Sequence, residues 1–184
     1  MDRLSDEQAI RDVREGCVEA YRAIVDKYYA RSLRYAVRML GNREDAEEVV
    51  QDTFVRAFRG LNRYDPRGRF EAWLFRILIN RCRTKASREL RRRRTILPAE
   101  ELSPAAAPQT DPGDPLLRRD IRRALLVLKP EYREAFLLKH VEELSYAEME
   151  MVTGDRTPAL KMRVKRARDQ LQNHLAGGRD VGTG

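Results

Sequence analysis

The sequence predicts an all-α protein made of two small helical domains joined by a Pro-rich linker, the second with a helix-turn-helix. Three observations predict it. Apolar residues recur at helical spacing in segment after segment, and no sustained apolar–polar alternation bounded by hairpin turns occurs. Residues 95–115 hold five of the eight prolines, Pro98, Pro104, Pro108, Pro112 and Pro115. Proline fixes φ and lacks a backbone donor, so this stretch reads as an extended tether. Residues 145–172 read as a short helix, a Gly-bearing turn and a longer basic helix. The expected division is therefore a domain at 1–94, a linker at 95–115, a domain at 116–176 and a frayed tail at 177–184. A chain of 184 residues with 36% charged side chains suits modest cores with wide solvated faces.

The elements follow in order. Residues 1–19 alternate charge without an apolar core, which excludes a signal peptide. Residues 17–40 carry a helical stripe of Val18, Tyr21, Ile24, Val25 and Tyr28. Gly41 reads as the stop and Asn42 as the next N-cap, with Asp45 three residues on. The following helix places Ala46, Val49, Val50, Thr53, Phe54, Ala57 and Leu61 on one face. Asp65-Pro66-Arg67-Gly68 is a turn signal. Phe70 to Arg94 reads as one long helix, with Trp73, Leu74, Ile77 and Leu78 facing inward at its start. Beyond the linker, Leu116 to Leu128 is a helix, and Pro130 opens another through Ala135, Phe136, Leu138 and Val141. Ser145 to Thr153 is a short helix ended by Gly154. Thr157 reads as N-cap and Pro158 as first residue of a final helix reaching about Leu175. There Leu160, Val164, Ala167 and Leu171 share the inward face.

Charge points to the partner. The formal net charge is +8, and Arg76 to Arg94 alone holds nine basic residues against Glu89. The flanking stretches, 1–75 and 95–184, each balance 14 basic with 14 acidic side chains. One concentrated cationic segment suggests a polyanion. Tyr64, Phe70, Trp73 and Phe75 lie just upstream, and rings beside guanidinium groups suit single-stranded nucleic acid. A solvated basic helix beside a small aromatic core fits the same residues. Six basic residues, Arg156, Lys161, Arg163, Lys165, Arg166 and Arg168, with Thr157 at the helix start, give the final helix a cationic face suited to a major groove and its phosphates.

Glu47, Glu48, Gln51 and Asp52 form an acidic helix face that phosphate would repel. That face is either solvated or docked on a basic protein surface. His140 and His174 stand in unrelated contexts, and GxxxxGK, HExxH and GxSxG patterns are absent, so the chain reads as neither enzyme nor metal site, with no cofactor. Cys17 and Cys82 read as buried small apolar residues, and Met149, Met151 and Met162 as core filling. No apolar run approaches the roughly 20 residues of a membrane span, so a cytoplasmic protein without membrane insertion is expected.

These strings together resemble the bacterial RNA polymerase sigma factors of the extracytoplasmic-function (ECF) group, from Cys17 to Arg94 and from Arg118 to Leu175. Residues 44–58, EDAEEVVQDTFVRAF, resemble the family's region 2.2. The resemblance implies core RNA polymerase as partner, with Glu48, Gln51 and Asp52 on the clamp coiled coil of its β′ subunit. Residues 61–80, LNRYDPRGRFEAWLFRILIN, resemble regions 2.3 and 2.4, which open the duplex and read the −10 element. A flipped base would sit in the loop from Arg63 through Tyr64, Arg67 and Arg69 to Phe70. Trp73 would take part in melting, and Arg76, Asn80, Arg83 and Lys85 would lie on the DNA-facing helix. KPEYREAFLL at 129–138 and ELSYAE at 143–148 resemble region 4, which reads the −35 element and contacts the β flap. Promoter DNA is thus the second expected partner, and an anti-sigma factor a third.

Two departures stand out. Glu150 occupies a position usually filled by a small residue, so it must turn outward or be paired. Ala159 and Met162 replace two hydroxyl residues of the family's recognition helix. On the residues alone, a stand-alone repressor using only the helix-turn-helix remains an alternative. It would need a symmetric dimer, and no clear dimerisation heptads are seen.

Overall fold

The computed structural model describes residues 5–65, 69–96 and 115–177. Eight α-helices occur among them, and no strand: α1 (Asp6–Arg14), α2 (Tyr21–Leu40), α3 (Arg43–Gly60), α4 (Phe70–Ile96), α5 (Pro115–Val127), α6 (Pro130–His140), α7 (Tyr146–Thr153) and α8 (Thr157–Gly177). Short 3-10 turns at Val18–Ala20 and Leu61–Arg63 precede α2 and follow α3. Residues 97–114, most of the expected tether, lie outside the described residues. Thr95 and Ile96 complete α4, and Pro115 opens α5.

The first domain is built on α2, α3 and α4, each packed against the other two, with α1 laid on α2. Every residue of the predicted α3 stripe from Ala46 to Leu61 is buried. Gly41 closes α2 in the left-handed region at φ 85°, its N–H donating to the Val37 carbonyl. Asn42 then caps α3, its side chain accepting the Asp45 N–H. The helix α1, which shows no apolar stripe in the sequence, is capped by Ser5 and buries Ala9 and Ile10. Arg14 at its end donates to the carbonyls of Leu61 and Tyr64, at 2.6 and 2.5 Å, and so fixes the chain leaving α3.

In the second domain α8 packs on α5, α6 and α7. Ser145 and Glu148 form a capping box on α7, and Gly154 ends it at φ 74°. Leu160, Val164 and Ala167 are buried, and Leu171 packs at the margin, so the inward face of α8 is the one the spacing predicts. The helix begins at Thr157, one residue before the predicted first position.

The two domains share one continuous core: α4 meets α7, and α2 meets α5 and α6. Arg133 of α6 is the main polar tie. It is buried, and its guanidinium donates to the Leu125, Leu126 and Leu128 carbonyls at the end of α5 and to Met39 of α2 at 2.5 Å.

Some expected core residues lie elsewhere. Val18 is exposed because the chain forms a 3-10 turn there and not the first turn of α2. Cys82 is buried but Cys17 is exposed, and both are free thiols. Met149 fills the core, whereas Met151 and Met162 are 54% and 43% exposed.

Candidate nucleic-acid interface

The acidic face of α3 lies directly beside the basic helix α4. Glu48 and Gln51 are exposed and Asp52 half-buried. Lys85 bonds Glu48 at 2.5 Å and Asp45 at 2.8 Å, and these bonds raise its pKa. Arg81 pairs with Asp52, which also takes Arg56 from one turn on. A cleft lined by Glu48, Asp52, Arg81, Lys85 and Arg88 runs along this seam. Lys85 therefore turns toward α3, about half a helical turn from the row of Arg76, Asn80 and Arg83.

Tyr64, Phe70 and Trp73 form a compact aromatic cluster, with ring centroids 5.1 to 5.6 Å apart. Tyr64 and Phe70 are only 7% and 5% exposed, so their rings pack inside the fold and offer no open face to a base. Trp73 is half-buried at the edge of the cluster, against Gly60, where a β-carbon would come 3.1 Å from its ring. Arg63 and Arg69 are exposed on either side, and Arg67 lies outside the described residues. Trp73, Arg76, Asn80 and Arg83 follow one another along one side of α4, with Arg76 and Asn80 exposed.

On the helix-turn-helix, Thr157, the first residue of α8, donates its backbone N–H to Glu150. The misfit of Glu150 in the sequence is thus answered: its carboxylate caps the N-terminus of α8. Arg163 donates to Asp155 at 2.8 Å, Arg166 to the Tyr132 hydroxyl at 2.9 Å, and the Lys161 ammonium lies 5.6 Å from the Tyr146 ring centre. Arg156, Lys165 and Arg168 are exposed and make no ion pair among the described residues.

Arg83 links the two surfaces. It holds Glu134 of α6 in a fork at 2.6 and 2.7 Å, Asp155 at 2.8 Å and the Thr153 carbonyl at 3.1 Å. The Glu134 bonds push its pKa up. Partial burial raises the Asp155 carboxyl, but Arg163 and Arg83 outweigh it and hold that carboxyl below its ordinary value. Arg69 reaches Glu148 of α7 at 2.8 Å, and Arg31 joins Glu142 to Glu71. In this arrangement Arg83 and Arg69 thus face acids of the second domain. Sequence reasoning missed Glu134, Glu142, Glu148 and Asp155. The one local signal was the charged pair Arg133-Glu134 interrupting an apolar helix face.

The architecture is thus a helical domain with adjoining acidic and cationic surfaces, followed by a helix-turn-helix. Family models agree with both halves: Sigma-70 region 2 matches residues 24–95 and Sigma-70, region 4 matches residues 118–171. The chain is 32% identical to the RNA polymerase sigma factor CarQ of Myxococcus xanthus, covering 88% of this chain and 92% of that protein. It is 30% identical to the ECF sigma factor SigW of Bacillus subtilis over 90% of this chain and 94% of the relative. With SigE of Mycolicibacterium smegmatis identity is 35% over 88% of this chain, which spans 64% of that longer relative. Among solved structures, CnrH in complex with the cytosolic domain of CnrY aligns with a TM-score of 0.68 at 27% identity, over 97% of this chain and 99% of that one. RpoE of Bartonella quintana with the anti-sigma factor NepR aligns at 0.70 and 25% identity, over 85% and 96%.

The chain belongs to the ECF group of RNA polymerase sigma factors. It is accordingly a transcription initiation factor that binds core polymerase and promoter DNA, and it is not an enzyme. No helix among the described residues is long and apolar enough to cross a membrane.

Proposed function

We propose that the two halves divide the work of initiation as follows. Residues 1–94 form the domain that docks polymerase and reads the −10 element, 95–115 the linker, and 116–176 the domain that reads the −35 element. Glu48, Gln51 and Asp52 meet the polymerase clamp. Trp73, Arg76 and Asn80, with Arg63 and Arg67 around the loop, engage the −10 strand, joined by Arg83 and Arg69 once their bonds to Glu134, Asp155 and Glu148 open, while Tyr64 and Phe70 brace that loop from inside. Lys85 contacts phosphate at the seam with the acidic face. Arg156, Lys161, Arg163, Lys165, Arg166 and Arg168 hold the −35 duplex, with Thr157 at the helix end. The protein works in the cytoplasm, and an anti-sigma factor is a third partner, as NepR is for RpoE of Bartonella quintana.

The observation that carries this reading is the adjacency of acidic α3 and cationic α4, which lets one domain hold protein and DNA together. It is tested by capture of core RNA polymerase on wild type and on Glu48→Arg/Asp52→Arg, with helical content checked by circular dichroism. Retention by wild type and loss in the folded double variant is expected; equal retention overturns the assignment of α3. In the same experiment Lys165→Ala/Arg168→Ala keeps polymerase binding but weakens capture of promoter duplex about tenfold or more at moderate salt, and flattens its salt dependence by about two contacts.

A further inference from the structure

Met162 lies opposite the buried seam of α8. Leu160, Val164 and Ala167 are buried on one side of the helix. At about 100° per residue Met162 falls almost diametrically across from them. It is 43% exposed and lies in the first two turns, the part of a recognition helix that reaches base edges. Its neighbours on the outward face are Lys161, Lys165 and Arg166, all exposed, with Ala159 half-buried. A long thioether on the crest of a cationic helix stands outside the hydrophobic core. Cations on either side suit phosphates, and phosphate contacts orient a protein without reading sequence. The crest residue is the one placed to read, and an unbranched apolar side chain can accept no hydrogen bond of consequence from a base. The apolar feature that distinguishes one base pair from another in the major groove is the C5-methyl of thymine.

We propose that Met162 is a specificity-determining residue that packs against a thymine C5-methyl in the upstream promoter element. The inference rests on the reading of α8 as the −35 helix, and replaces hydrogen-bonded readout at this position with apolar contact. Methionine's flexible chain suits such a contact, since it can follow the methyl across neighbouring base steps. Removing the methyl removes the contact and leaves every hydrogen bond of the base pair in place.

The test uses holoenzyme assembled from full-length protein and core polymerase. Promoter duplexes are first selected from a library randomised through both promoter elements. Each thymine of the recovered upstream element is then replaced singly by uracil. For wild type, one or two replacements weaken binding about fourfold, the worth of one buried methyl. Met162→Ser loses that sensitivity while Met162→Leu keeps it, both folding as wild type by circular dichroism. Wild type indifferent to every uracil, or Met162→Ser responding as wild type does, overturns the inference alone. Recovery of a downstream element with no upstream motif overturns the −35 reading of α8 and the inference with it.

Discussion

Arg133 shows how far a single side chain can depart from its usual place. Burial pulls its guanidinium down to about 10, so it stays protonated at neutral pH, and its protons go to four backbone carbonyls. Those carbonyls sit at the ends of α5 and α2, where the helix dipole is negative. Arg133→Met relieves the buried charge but orphans the carbonyls. The second effect wins at about 2 kcal/mol of lost stability, read as a lower urea midpoint. Two glycines give a paired prediction. Both Gly41 and Gly154 have positive φ, at 85° and 74°, so alanine costs about 1–2 kcal/mol at either. At Gly41 the new methyl also comes 2.6 Å from the Leu126 side chain, whereas at Gly154 it meets nothing within 4 Å. Gly41→Ala should therefore lower the thermal midpoint more than Gly154→Ala; equal shifts would mean that Leu126 yields freely. Single residues were read unevenly from sequence. Asn42 and Gly41 were legible because caps act locally. Cys17 and Met162 were not, because residue type alone cannot tell a core position from a crest.

At the scale of elements, α3 was the most legible, since its stripe meets two helices and tolerates no drift in period. The helix α1 was missed although Ser5 and Gln8 have capping-box spacing, because Ala9 and Ile10 are too few to make a stripe. The junction of α7 and α8 depends on Glu150, which sequence marked as misplaced and structure makes a cap. Glu150→Ala leaves the Thr157 N–H without its acceptor and should cost about 1 kcal/mol, with faster amide exchange confined to the first turn of α8. Glu150→Gln keeps an acceptor oxygen and should restore most of the protection. Exchange unchanged in Glu150→Ala would assign the cap to water.

At the scale of the whole molecule, the contact between domains is carried by residues far apart in sequence. Arg83 reaches Glu134 and Asp155 across 51 and 72 residues. No local pattern announces such pairs; family resemblance supplied the domains but not the face on which they meet. The Asp155 carboxyl sits below its ordinary value, so its contribution to stability is complete above about pH 4 and is lost as pH falls through the lower folded value. The stability gap between wild type and Asp155→Asn should therefore close on acidification below about pH 4. A gap independent of pH would show that shape, and not charge, joins Asp155 to Arg83 and Arg163.

The seam between α3 and α4 has a thermodynamic consequence. On the division of surfaces proposed above, Glu48 meets polymerase and Lys85 meets DNA, yet Lys85 is bonded to Glu48 as well as to Asp45. A ligand that takes Glu48 must break the pair, and so must one that takes Lys85. Whichever arrives first meets that cost, and the second finds the bond already open. The two ligands thus help one another through a shared broken contact, and linkage makes the help equal in both directions. An exposed pair is worth at most about 1 kcal/mol, so the mutual gain is no more than about fivefold, and it disappears in Lys85→Gln.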